Sequence, residues 1–147
     1  MRILYYLSLF SMIVGLVMGY FYREVTKNFT WDTVLGAVHG HVFTLGMMWY
    51  LLLLLLDDRF HLSKQKYWKS FLWIYTIGLI ITIKMMVIRG LIEVTMMTLT
   101  KAQDHMIAGF AGIGHVLLTI GFILFFINLS KALSSKEGNI PKTSQKS

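Results

Sequence analysis

Two histidines, His39 and His41, sit two residues apart in the stretch VHGHVFTLG, directly ahead of a strongly apolar run. A third, His115, follows a glycine-rich stretch, Ala108 to Gly114, in the last apolar block. His105 lies ten residues before it. Neutral imidazole is a common metal ligand, and ionisable groups inside an apolar span are costly and mark functional positions. The chain has no cysteine, so thiolate metal sites, disulfides and ordinary iron–sulfur clusters are excluded. Zinc generally takes four ligands, and no carboxylate lies within the two histidine-bearing blocks, the nearest being Asp32, Asp104 and Glu93. Haem iron needs one or two axial ligands, because the porphyrin supplies four nitrogens. No C-x-x-C-H occurs, so attachment would be non-covalent and the cofactor haem b.

The spacing limits which histidines can act together. At about 100° per residue, His39 and His41 lie about 200° apart around a regular helix and cannot chelate one ion. His105 and His115 are about 15 Å apart along a helix. The usable pairs therefore cross between blocks: His41 with His115, or His39 with His105. Lys84 and Arg89 in the third block could pair with propionates, and Met47, Met48, Met85, Met86 and Met106 are thioethers near the expected site. Gly112 belongs to the small-residue shelf beside His115, where a flat macrocycle could lie. Asp57, Asp58 and Arg59 read as a solvated helix end.

The elements that must position these residues are membrane spans. The chain has 147 residues, 56% of them hydrophobic, and its mean hydropathy is +0.63. Four apolar blocks are each long enough to cross a hydrocarbon core of about 30 Å, and they lack the alternation of barrel strands. The fold expected is an all-α integral membrane protein, an antiparallel four-transmembrane-helix bundle with helices over about 3–22, 34–56, 68–90 and 104–130. Residues 1–132 would form one domain and 133–147 a disordered cytoplasmic tail. The first block lacks a small-residue cleavage site and reads as a retained helix. Helix 3 ends ambiguously between 90 and 99.

Nine cations fall at the N-terminus, the middle loop and the tail, against four in the other two loops. That asymmetry predicts an N-in/C-in topology, and it explains the net charge of +7 by anionic lipid rather than nucleic acid. The histidines and Lys84 then fall in the outer half of the bilayer. The expected location is the cytoplasmic membrane, as a multi-pass protein. Tyr5, Tyr6, Tyr20, Tyr22, Trp31, Tyr67, Trp68 and Trp73 mark the interfaces. Small residues form stripes on helix 1 (Ser8, Ser11, Gly15, Gly19), and the opposed faces of His39 and His41 allow a homodimer.

The pattern His39-Gly40-His41-x-x-x-Leu45-Gly46, with Gly112-x-Gly114-His115-x-Leu117-Leu118, resembles a family of short four-span membrane proteins of Gram-positive bacteria. That family is catalogued as domain of unknown function 2871, and the resemblance covers roughly residues 1–132. The H-x-H-x-x-x-x-G element is also similar to histidine-bearing helices of haem-copper-oxidase-related proteins. The family resemblance implies haem binding or haem tolerance and carries over His39, His41 and His115. The leading expectation is a non-enzymatic b-haem-binding membrane protein for haem handling or sequestration. The alternatives are a small haem redox enzyme working with quinone, a copper or other transition-metal carrier, and a structural partner of a larger complex.

Overall fold

The computed structural model describes residues 2–27 and 33–137, with side chains to 135. Trp31, Asp32 and the tail from 138 lie outside the described residues. The protein is all-helical, with four long helices: α1 (Arg2–Thr26), α2 (Leu35–Phe60), α3 (Trp68–Thr95) and α4 (Lys101–Glu137). All four are long and apolar enough to cross a membrane, yet only 22–28% of each apolar window is buried inside the protein. The remainder is outward-facing apolar surface, which lipid satisfies and water does not.

The ends of the helices have local causes. α2 stops where His61 adopts a left-handed conformation (φ 52°) and its N–H reaches the Asp57 carbonyl. A short 3₁₀ turn, Leu62–Lys64, then leads to α3. Met96 ends α3 in the same left-handed way (φ 50°). α4 opens with a capping box: Gln103 Nα–H donates to the Thr100 hydroxyl, and the Gln103 side chain accepts from Thr100 N–H. This box starts α4 at Lys101 rather than 104. The helix also runs to Glu137, seven residues beyond the expected end at 130 and into the segment read as tail. There the Ser134 and Ser135 hydroxyls bond back to carbonyls one turn earlier.

The helices pack mainly in chain order, α1 on α2, α2 on α3 and α3 on α4, with α4 seated most extensively on α3. Small residues permit the close approaches. A Cβ on Gly78 would lie 2.9 Å from Leu118 N, and one on Gly114 would lie 2.9 Å from Thr82 N. On the other side, Ser11 fills the space over Gly46 and Phe43 fills that over Gly15. The small-residue stripe of helix 1 is thus packed against α2 at Ser11 and Gly15. α2 meets α4 mainly in the half toward the middle loop, where Trp49 packs edge-on to Phe122 (5.0 Å) and Phe125 (5.1 Å). Tyr50, Phe71 and Tyr75 complete this core. Asp57, read as a solvated helix end, is 1% exposed: its Oδ1 accepts the Ser63 N–H at 2.7 Å and fixes the turn.

Candidate functional site

α2 is not a regular α-helix. Directly after His41, residues Val42–Met48 form a π-helical segment. Where the π segment returns to α, Trp49 N–H reaches the carbonyls of Thr44 and Gly46 and passes over that of Leu45. The skipped Leu45 carbonyl accepts the Tyr75 hydroxyl from α3 at 2.8 Å. Ser8 of α1 donates to the Met47 carbonyl at 3.0 Å. A bare carbonyl in lipid costs several kcal/mol, so these donors are what make the segment tolerable.

The π segment changes what His41 faces. In a regular helix, His41 and Trp49, eight residues apart, would differ by about 80°. The wider turn absorbs the equivalent of one residue, which brings the two to within about 20° of one face. Trp49 faces α4, so His41 looks the same way, farther toward the predicted outer end. His115 is seven residues before Phe122, hence on the α4 face that meets Trp49. Beyond the Trp49–Phe122 contact the two helices separate, and α2's Leu35–His41 turn touches α1 and α3 without extended contact to α4. A wedge opens there, floored by α3. Its cavity is about 240 Å³ and is lined by Val34, Met85, Met86, Arg89, Ala108 and Ala111, among others. Val34 lies seven residues before His41 and Ala111 one turn before His115, so each histidine follows a lining residue on its own helix, although neither imidazole is itself among the residues that line the wedge.

Both imidazoles are held alike. His41 Nδ1 is 2.9 Å from the Ala37 carbonyl, and His115 Nδ1 is 2.8 Å from that of Ala111. A carbonyl can only accept, so Nδ1 carries the proton in each bond. In the neutral ring, Nε2 then keeps the lone pair and is the atom free to accept a bond. Such a second hydrogen bond is the usual device for fixing a metal-binding imidazole. On the same helices, a Cβ on Gly40, Gly109 or Gly112 would meet nothing within 4 Å.

The other predicted residues divide between this site and elsewhere. His39 faces α1, its ring stacked on Tyr22 at 6.4 Å and near the backbone of Gly19, with Nδ1 buried and unpartnered. The His39–His105 crossing pair is therefore not brought together, and His105 is exposed in the first turns of α4. Arg89 stands at the wedge mouth, paired with Asp104 and, at 3.7 Å, with Glu93. Glu93 in turn accepts Val34 N–H at 2.8 Å, so three helices are joined at this rim. Lys84 lies about 140° around α3 from Arg89. It lines a different cavity of about 360 Å³, with Leu7, Phe10, Val14 and Tyr50. Among the described residues no group of three or more His, Cys, Asp or Glu could hold a metal ion.

The sequence reading missed Trp49, Tyr75 and the π segment. Gly46 and the polar Thr44 inside an apolar run were the only local signals. The chain belongs to the family described as protein of unknown function DUF2871, whose model matches residues 1–132. No curated protein and no solved structure matches it, and the shorter likeness to haem-copper-oxidase-related helices is not supported.

Proposed function

We propose that this DUF2871 member is a b-type haem-binding protein of the cytoplasmic membrane, with His41 and His115 as axial ligands and a role in haem handling or sequestration. The observation that carries this reading is the matched pair of imidazoles. Each is tied through Nδ1–H to the carbonyl one turn earlier, and each lies within two helical turns of a residue that lines the wedge, Val34 for His41 and Ala111 for His115. The donor set fits haem better than a bare ion, since two imidazoles suffice for iron already held by four porphyrin nitrogens and larger ligand groups are absent among the described residues. Haem b would supply reversible iron redox and axial-ligand chemistry.

The chain's own contribution is positional. The wedge, about 240 Å³, is smaller than pockets that enclose a ligand, about 300–1,000 Å³. A haem there would extend beyond the wedge, and Gly109 and Gly112, with nothing within 4 Å of a Cβ, leave space on α4 for it. Met85 and Met86 provide an apolar floor. A propionate at the mouth would share the Arg89 guanidinium, which has five donors, with Asp104. Lys84 and His39 take no part in holding this group.

The test is the visible spectrum of detergent-purified protein from haem-replete cells. A Soret band is expected, lost in His41→Ala and in His115→Ala and kept in His39→Ala. Colourless protein that takes up no added haemin would end the proposal. A second reading, a haem redox protein working with quinone, is favoured by the apolar cavity beside Lys84, which also presents the Tyr50 and Thr76 hydroxyls, 2.9 Å apart. Rapid reduction of bound haem by a quinol analogue would select it.

A further inference from the structure

The opposite end of the molecule holds a cavity of another kind. The end of α2, the 3₁₀ turn and the end of α4 enclose about 360 Å³, lined by Arg59, Phe60, His61, Lys64, Gln65, Ala132 and Ser135. Two fixed cations, an imidazole, an amide and a hydroxyl converge there, and no carboxylate is in the lining. The nearby Asp57 carboxylate is buried and directed to Ser63 N–H. Two further cations, Lys66 and Lys131, are drawn over the Tyr67 ring at 5.4 and 4.7 Å. The turn that builds this pocket is firmly set by the left-handed His61 and the Asp57–Ser63 bond, so the cations are presented by an ordered backbone.

From this geometry we infer that the pocket binds a phosphate-bearing anion, and that its source is the headgroup of an anionic phospholipid. Donors of this type suit phosphate oxygens: Arg offers a planar fork, Lys a point charge, and amide and hydroxyl groups complete the shell. Two features favour lipid over free phosphate. The pocket sits where apolar spans end, on the side that the charge asymmetry assigns to the cytoplasm. Below it, Leu55, one turn from Arg59 on the same face, is 68% exposed and offers an acyl chain apolar surface. The inference is independent of the haem reading, since it uses none of the same residues.

The full chain is purified in a neutral detergent, and phosphatidylglycerol or phosphatidylcholine is added. Retained lipid is counted by native mass spectrometry, and the unfolding midpoint is followed by tryptophan fluorescence. Phosphatidylglycerol is expected to be retained preferentially and to raise the midpoint. The double variant R59Q/K64Q should lower that preference at least about tenfold, given about 1 kcal/mol per cation near an anionic surface. Its midpoint in neutral detergent alone should match wild type, which shows that it folds. The double variant K142Q/K146Q removes equal charge from the tail and should keep the preference. Equal losses in both variants would reduce the effect to general charge and overturn the pocket. Inorganic phosphate alone giving the full stabilisation would overturn the lipid source.

Discussion

The two halves of the α2–α4 interface are built in opposite ways. Toward the middle loop, Trp49 lies against Phe122 and Phe125, with Tyr75 and Phe71 stacked behind them. Toward the other end the same two helices part, and on the segments that carry His41 and His115 a Cβ at Gly40, Gly109 or Gly112 would meet nothing within 4 Å. Aromatic packing holds the fold, and the polar groups are placed where packing stops. A side chain clamped by neighbours cannot receive a ligand, whereas one held only through its own helix's carbonyl can.

That contrast is open to attack by mutation. The largest effect is expected for Trp49→Ala, which should cost about 3–5 kcal/mol by opening a cavity in the aromatic cluster. The readout is the unfolding midpoint in a denaturing-detergent titration. Trp49→Phe should cost far less, because it keeps a ring and removes an indole N–H that is buried without a partner. His41→Ala should shift the midpoint little. A loss as large as that of Trp49→Ala would mean the wedge is part of the packed core.

Paired glycine substitutions sharpen the same point. Gly78→Ala should destabilise by about 1–3 kcal/mol, because the new Cβ is forced against α4 backbone. Gly112→Ala, with nothing within 4 Å, should stay within about 0.5 kcal/mol of wild type. Similar penalties for both would show that the wedge is filled by protein in the folded state. A modest effect is expected for Tyr75→Phe, about 1 kcal/mol, from the Leu45 carbonyl left bare. Because that carbonyl marks the return from π to α, the variant should also weaken haemin uptake. Unchanged uptake would separate the π segment from the site.

Much of the fold was legible in the sequence. Four apolar blocks of spanning length can form little else in lipid, and short loops make neighbours antiparallel. The ends were less so. Thr100 and Gln103 form a legible capping box that the hydropathy reading passed over, and the serines near the end of α4 remain helical by bonding to their own helix. At the site, spacing narrowed the histidines to two crossing pairs, and the facing of His39 toward α1 sets aside its pairing with His105. The separate roles of Lys84 and Arg89 did not, because five residues on one helix carry them to different faces.

By itself the sequence determined the class, four apolar helices, and the short inventory of polar groups they carry, because burial in lipid leaves the backbone one economical solution and makes each ionisable residue conspicuous. Only the tertiary structure decided which face each histidine shows. That choice turns on the π segment of α2, and the segment is sustained by hydroxyls from two other helices, Ser8 on α1 and Tyr75 on α3. A local departure that depends on distant donors leaves no periodic trace in its own stretch of chain.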